Sequence, residues 1–185
     1  MKFPDHIVQT AFDSPLGRIM LAGSDEGLAG LWFVQGQRHM PDTSGWPAAP
    51  AHPLLLRAEH ALQRYFAGEQ VCFDLPLDLR SGTPFQQSVW QALLQIPRGS
   101  STSYGLLSQR IGRPSAVRAV GAAVGHNPLG IIVPCHRVLG ADGSLTGYAG
   151  GLDRKVALLQ LEGTAFKPDA RHPAAQQTPQ QELPL

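Results

Sequence analysis

The chain has 185 residues, is 43% hydrophobic and carries a formal net charge of +1, which suits one or two compact globular domains. Its start lacks the basic stretch and apolar core of a secretion signal, and nowhere do eighteen apolar residues run together. We therefore expect neither secretion nor membrane insertion. Its two cysteines, Cys72 and Cys135, stand in unrelated settings, which favours free thiols in a reducing cytoplasm over a disulfide framework.

Positive charge is concentrated in one segment. Between Leu79 and Ala141 there is no Asp, Glu or Lys, so its arginines give this segment a charge of +6 and leave −5 for the remainder. Arginine clusters are typical of nucleic-acid-binding surfaces, because they neutralise phosphates and release counterions. Solvated arginines without a ligand are the alternative, and charge alone does not decide between them. The six are Arg80, Arg98, Arg110, Arg113, Arg118 and Arg137.

The first elements predicted along the chain are two strands. Residues 18–22 and 28–34 have the composition of strands, and the turn-forming residues 23–27 between them predict a hairpin. Residues 35–52 are rich in Gly and Pro and are predicted to form a loop.

A helix and a further strand complete the first part. From Leu54 apolar residues recur at helical spacing until Gly68, and residues 71–75 resemble a strand. We place a boundary near residues 78–82, so that residues 1–80 form an α/β N-terminal domain.

The second domain, residues 81–163, opens with a strong helix start. Thr83 is a predicted N-cap, Pro84 occupies the first helical position, and Gln86 completes a capping box. The helix is expected to end before Pro97.

Two short helices are predicted next. The first covers residues 104–111 and stops at Gly112, and the second runs from Pro114 to about Val124. Helices joined by so tight a turn indicate a helix-turn-helix.

The second of these helices has two different faces. Val117, Val120 and Val124 are expected in the core, whereas Arg118 lies about 100° away on the exposed side. The small neighbours of Arg118 would let the helix backbone approach DNA closely. An alanine-rich surface helix without a ligand is the alternative. These neighbours are Ser115, Gly121, Ala122 and Gly125.

Cys135 beside His136 is the main chemical signal. Pro134 is expected to break a strand over residues 131–133 and to present both side chains in a turn, where the imidazole can take the thiol proton. Glu162, at the end of a predicted helix over residues 153–162, is the candidate to orient the imidazole. Free cysteines more often fill space, and that is our interpretation of Cys72.

The chain ends in a predicted disordered tail. Gly163 closes the last helix, and residues 164–185 contain four prolines and four glutamines but few apolar residues. The histidines and cysteines show no ligand spacing, so we expect no metal and no cofactor.

Several motifs together carry a family resemblance. The strings VPCHRV at residues 133–138, RAVGAAVGHNP, GYAGG and LLQLEG closely resemble the O6-alkylguanine-DNA alkyltransferases, without gaps from Gly82 to Gly163. DSPLG and RYFAG match more loosely in the first part. GTPFQQSVW and GYAGG resemble the bacterial constitutive type.

The resemblance implies a fold and a reaction. The N-terminal domain would contain a small ribonuclease H-like sheet, and the mostly α C-terminal domain a winged-helix-like helix-turn-helix. A monomer would bind the minor groove of double-stranded DNA, flip the damaged guanine out and transfer its O6-alkyl group irreversibly to Cys135, in a single turnover.

The resemblance also implies residue roles. His136 would be the base through a bound water, Glu162 its orienter, Asn127 the support of the turn, and Tyr104 a hydrogen-bond partner of the guanine. Arg118 would fill the gap in the base stack. The implied DNA-binding residues are Arg118, Ala119, Ser115, Ala122 and Gly125, and the implied pocket residues are Val138, Ala149 and Gly130.

Two other functions remain open at this point. A cysteine hydrolase would use Cys135, His136 and Glu162 but would turn over, and a non-catalytic helix-turn-helix module would not need the thiol. Gly130 and Ala149 are small, which favours alkyl groups larger than methyl, such as benzyl, and O4-alkylthymine as an additional substrate.

Overall fold

Three antiparallel strands form the N-terminal sheet in the computed structural model, which describes residues 2–172. They are β1 (Ile7–Ser14), β2 (Gly17–Ser24) and β3 (Gly27–Phe33), in the order β1-β2-β3. The predicted hairpin is confirmed as β2 and β3. Strand β1 was not predicted, because it is an outer, mostly half-buried strand without a clean apolar alternation.

Both faces of this sheet are covered. Helix α1 (Pro53–Phe66), close to its predicted bounds, packs on one face. On the other face the ring of Trp32 contacts Trp46, from the predicted loop, at a centroid distance of 6.1 Å. A Cβ at Gly30 would lie 1.9 Å from the Trp32 indole, so only glycine admits this ring.

The prediction of a strand at residues 71–75 is wrong. The N–H groups of Asp74 and Leu75 each donate to the carbonyl two residues earlier, at 2.9 Å. These tight turns satisfy the backbone locally, so the segment needs no partner strand. The chain pairs with the sheet after this segment, through an isolated β-bridge between Leu77 and Leu28.

The C-terminal half is mainly helical, as expected. Helix α2 begins with the predicted capping box, in which Thr83 and Gln86 bond each other reciprocally at 2.9 and 3.3 Å. Two very short strands pair in parallel beside the helices. The elements are α2 (Pro84–Leu94), β4 (Thr102–Ser103), α3 (Tyr104–Arg110), α4 (Val117–Gly125), β5 (Val138–Leu139) and α5 (Leu152–Leu161).

Helix α4 begins three residues later than predicted. The Ala116 N–H donates to the Arg113 carbonyl at 2.9 Å, which closes a separate turn before the helix. Val117 therefore stands at the exposed first position, with 39% of its surface accessible, and the expectation that it is buried is wrong. Val120 and Val124 are buried as predicted.

Residues 131–133 form turns instead of the predicted strand. The segment before them docks on β3, since the Leu31 N–H donates to the Pro128 carbonyl at 2.8 Å and the Gly130 N–H donates to the Leu31 carbonyl at 3.3 Å. Ile131 has a φ of 68°, a strained conformation for a β-branched residue. The contact with β3 thus holds the chain in a conformation that local preference disfavours.

The expectation of disorder from residue 164 onward is wrong for residues 164–172. The Lys167 N–H donates to the Gly143 carbonyl at 2.8 Å, and His172 contacts Asp153 at 2.9 Å. Residues 173–185 of the predicted tail lie outside the described residues. Within residues 2–172 no helix is long and apolar enough to cross a membrane.

Candidate active site

Cys135 opens a single 3-10 turn, Cys135–Arg137, directly after Pro134. The prediction that Pro134 precedes a turn carrying Cys135 and His136 is therefore confirmed. The thiol is buried, with 5% of the residue accessible, and the Asn127 side chain donates to its Sγ at 3.1 Å. Burial raises the pKa of the Cys135 thiol, whereas the Asn127 bond and the positive charge of Lys155 oppose that rise.

Asn127 also fixes the chain around the thiol. Its Nδ2 donates to the Val133 carbonyl at 2.8 Å, and its Oδ1 accepts from the Leu129 N–H at 3.0 Å. One buried side chain thus spans the turns that lead from α4 to Cys135. This geometry agrees with a role in holding the turn.

His136 lies fully buried beside Glu162, with 3.0 Å between Nε2 and Oε1. Burial lowers the pKa of His136 more than Glu162 raises it, which favours a neutral ring. With Nε2 donating to the carboxylate, the lone pair lies on Nδ1. Within residues 2–172 Nδ1 has no hydrogen-bond partner, and Cys135 and His136 do not bond each other directly. A base that acts through a bridging water suits this tautomer.

Glu162 receives more donors than the sequence indicated. Tyr65 donates its hydroxyl at 2.8 Å, and Arg137 donates through Nε and Nη2, each at 2.8 Å. Burial raises the pKa of Glu162, but the bonds from Arg137 and His136 outweigh it and hold the pKa well below its usual range. The acid is therefore held as an anion next to the imidazole, an arrangement that agrees with a role in orienting the ring.

Lys155 is a second group that the sequence did not reveal. It is fully buried in α5, and its Nζ donates to the Val138 carbonyl at 2.6 Å and to the Thr146 carbonyl at 3.2 Å. Burial lowers the pKa of Lys155 to about 8. The ammonium still carries most of its charge at neutral pH and favours the thiolate of Cys135.

Cys135 lies in the wall of a pocket of about 250 Å³, close to the lower end of ligand sites, about 300 Å³. Helices, an active-site loop (residues 147–151) and the N-terminal domain all contribute to it. Tyr104 lines the pocket, with its hydroxyl 3.0 Å from Thr146 Oγ1. The remaining lining residues are Arg38, His39, Gly121, Val124, Gly125, Gly147, Tyr148 and Ala149.

The three predicted pocket residues differ in position. Ala149 lines the pocket. Val138 is buried outside the lining, and its carbonyl already accepts from Lys155. Gly130 is also outside the lining, although a Cβ there would come within 3.8 Å of the Tyr148 hydroxyl. Gly130 thus lies behind the pocket wall.

The predicted DNA-binding residues surround one face of α4. Four of the five are exposed, while Gly125 is half-buried and also lines the pocket. Ser115 stands in the turn before the helix instead of on it. The exposed four are Ser115, Arg118, Ala119 and Ala122.

The six arginines divide into two groups. Arg80 pairs with Asp78, Arg137 with Glu162, and Arg98 donates to backbone carbonyls. Among residues 2–172, no carboxylate pairs with the other three, which are exposed on α3, α4 and the turn between them. Of these six, the arginines whose side chains have neither a carboxylate nor a carbonyl partner among residues 2–172 all lie in the helix-turn-helix, and they are Arg110, Arg113 and Arg118.

Comparison with known families now adds to this geometry. Residues 84–164 match the 6-O-methylguanine DNA methyltransferase, DNA binding domain, and residues 7–79 match the ribonuclease-like domain of the same family. The chain belongs to the 6-O-methylguanine DNA methyltransferase family.

Relatives in this methyltransferase family match most of the chain. A methylated-DNA--protein-cysteine methyltransferase from Mycolicibacterium paratuberculosis is 53% identical over 150 residues, which cover 81% of this chain and 88% of the relative. One from Methanosarcina acetivorans is 48% identical over 153 residues, covering 83% and 96%. The crystal structure of Mycobacterium tuberculosis OGT in complex with DNA superposes with a TM-score of 0.77 at 49% identity, covering 90% of this chain and 95% of that one.

Some site residues of this family member were not predicted from the sequence, and they share one property. Tyr65, Lys155 and the pocket residues Arg38 and His39 all reach the site from distant elements. No motif spacing links them to Cys135. Arg137 and Tyr148 stood next to predicted site residues, where their places in VPCHRV and GYAGG were usable signals, and Tyr65 stands in RYFAG.

Proposed function

We propose that this protein repairs DNA by transferring the alkyl group of an O6-alkylguanine to its own Cys135. The observation that carries the proposal is the position of the Cys135 thiol in a pocket whose wall includes Gly121, Val124 and Gly125 of α4, while the same helix exposes Arg118 beside small residues. A flipped base can enter such a pocket while the helix remains on the duplex.

The chemistry is one displacement at carbon. The Cys135 thiolate forms a bond to the alkyl carbon as the bond from that carbon to O6 breaks, and the electron pair passes to the guanine. Tyr104 lines the pocket and is placed to stabilise that charge through its hydroxyl. The product thioether is not hydrolysed, so each protein molecule acts once.

Docking on DNA follows from the exposed arginines. Arg110, Arg113 and Arg118 supply positive charge where α4 presents small side chains, and a small surface allows close approach in the minor groove. Arg118 is the long side chain placed to occupy the space that a flipped guanine leaves. Because the reactive thiol must stay reduced, we also place the protein in the cytoplasm.

Intact mass measurement tests the reaction. After incubation with duplex DNA containing O6-methylguanine, the protein should gain one methyl group, mapped to Cys135, without added cofactor. Cys135→Ala should bind the duplex and gain nothing, and Cys72→Ala should react like the native protein. Multiple turnovers would favour a cysteine hydrolase, and binding without any mass gain would favour a DNA-binding module.

Arg118→Ala tests the docking. The variant should repair duplex DNA far more slowly while its reaction with free O6-benzylguanine is kept, because only the duplex leaves a gap in the stack to fill. Arg18→Ala, which removes an exposed arginine from the N-terminal sheet, is the matched control. Equal losses on both substrates would contradict the role of Arg118.

A further inference from the structure

Arg154, on the first turn of α5, joins three separate segments of the chain. Its Nε donates to the Leu16 carbonyl at 2.9 Å, and its Nη1 donates to the carbonyls of Gln35 at 2.8 Å and Gly150 at 2.9 Å. The guanidinium also lies 4.3 Å from the ring centre of Phe33. Leu16, Phe33 and Gln35 belong to the N-terminal domain, whereas Gly150 belongs to the active-site loop.

Both ends of this connection lead to the pocket. The active-site loop carries Tyr148 and Ala149, and the segment that begins at Gln35 carries Arg38 and His39, all of which line the pocket. A second bond joins the same two segments, because the Arg38 N–H donates to the Ala149 carbonyl at 2.9 Å. Arg154 therefore fixes the two sides of the pocket rim relative to each other.

The chemistry of the contact requires arginine. Within the described residues no carboxylate pairs with Arg154, and its donors go to three carbonyls from separate segments of the chain. A planar guanidinium presents several donors at once and stacks on an aromatic ring, whereas an ammonium on a flexible stem does neither equally well. The neighbouring Asp153 contacts His172 instead.

Gly150 packs closely against the side chains beside the pocket. A Cβ at Gly150 would lie 2.8 Å from the Tyr148 ring and 3.2 Å from the Phe33 ring. Displacement of Gly150 would therefore move Tyr148, whose ring is part of the pocket. The position of one backbone carbonyl is thus coupled to the shape of the site.

We propose that Arg154 is a positioning residue for substrate: it holds the active-site loop against residues 35–39 of the N-terminal domain and so sets the shape of the pocket that receives the alkylated base. The inference rests on the proposed function, because it assumes that the base enters this pocket. It assigns the N-terminal domain a part in substrate binding through a residue of α5.

Single-turnover kinetics on duplex DNA containing O6-methylguanine test this role. For Arg154→Ala the half-saturating DNA concentration should rise about tenfold, as expected when hydrogen bonds to a charged group are lost, while the limiting rate changes by less than about twofold. Affinity for undamaged duplex and the pH profile of iodoacetamide labelling at Cys135 should stay unchanged. Arg154→Lys should rescue little, because it keeps the charge and loses the geometry.

Two further variants complete the design. Arg18→Ala removes an exposed arginine of the N-terminal sheet and should behave as native protein. Gly150→Ala displaces Tyr148 while Arg154 remains, and should also raise the half-saturating concentration, which keeps the test valid if Arg154→Ala fails to fold.

The outcomes separate the inference from the proposed function. The positioning role would be overturned if Arg154→Ala had the half-saturating DNA concentration of the native protein, or if its limiting rate fell only in proportion to the fraction of folded protein. Either result would leave the proposed alkyl transfer intact. A native protein that takes up no methyl group on Cys135 would overturn both.

Discussion

Cys135, the proposed nucleophile, lies in surroundings that oppose the ionisation of its thiol. Burial raises the pKa of its thiol, and the groups that counter this are the Asn127 amide, the Lys155 ammonium and the backbone N–H groups of Cys135 and His136. A buried thiol is shielded from other reactants. A nucleobase that enters the pocket meets this thiol next to a neutral imidazole. At this scale, reactivity depends on a few charges with fixed positions.

Lys155→Met should raise the pH midpoint of Cys135 labelling by iodoacetamide. The variant removes a buried positive charge that favours the thiolate, so the midpoint should move up, by at most about 1 pH unit. Because the pKa of Lys155 is itself about 8, this support is present below that pH and fades above it. Lys167→Met, an exposed lysine, is the control. An unchanged or lower midpoint would contradict the role.

Glu162→Gln should destabilise the protein strongly. The change leaves Arg137, whose side chain is only 11% exposed, without its anion, and breaking a buried pair typically costs about 3 kcal/mol or more of unfolding free energy. Glu69→Gln breaks an exposed pair with Arg64 and should cost less than about 1 kcal/mol. Urea denaturation measures the free energy of unfolding of both variants. Equal losses would show that Glu162 does not stabilise the protein more than an exposed, ion-paired glutamate does.

Helix α4 borders both the pocket and the exposed surface. The helix exposes Arg118 and small residues, and it contributes Gly121, Val124 and Gly125 to the pocket wall. Glycine inside a helix lowers stability, so Gly121 indicates that space matters more than helix propensity at this position.

Gly121→Ala should therefore stabilise the protein and narrow its substrate range. Alanine is favoured over glycine in a helix by up to about 1 kcal/mol, and the added Cβ would meet the Tyr104 ring at 3.7 Å, an ordinary contact. The methyl group takes space from the pocket, so the rate on O6-benzylguanine should fall more than the rate on O6-methylguanine in DNA. Urea denaturation and single-turnover rates measure both effects. A constant ratio of the rates would mean that this wall does not limit alkyl size.

At the scale of the whole molecule, segments that are far apart in the chain pack against one another. Strand β3 docks the segment before Cys135, and residues 164–172 return along α5, so that His172 lies between Asp153 and Asp169 at 2.9 and 3.0 Å. The bond to Asp153 is the largest cause that raises the pKa of His172, and Asp169 adds to it. This contact should make the stability of the protein depend on pH.

His172→Gln should lower the melting temperature at low pH only. Because the folded-state pKa is raised, the contribution of His172 is complete below its ordinary value of about 6.5 and is lost as pH rises through the folded-state value. The native protein should thus exceed the variant at about pH 5.5 and approach it at about pH 9. His60→Gln, at an exposed position of α1, is the control. A difference that grows with pH would contradict the contact.

Local signals in the sequence determined much of this protein. The hairpin, α1, the capped start of α2, the helix-turn-helix and the Cys135–His136 turn all follow from spacing, caps and breakers within a few residues of one another. The exposed arginine on α4 followed from helical periodicity, and the motifs around Cys135 identified the family.

Only the tertiary structure decided what surrounds the thiol. Tyr65 and Lys155 reach the site from α1 and α5, and Arg154 ties the active-site loop to the N-terminal domain. Ile131 adopts a strained φ that no local preference predicts, because docking on β3 holds the chain there. Local propensities act over a few residues, whereas burial, pKa shifts and strain arise from packing between segments far apart in the chain.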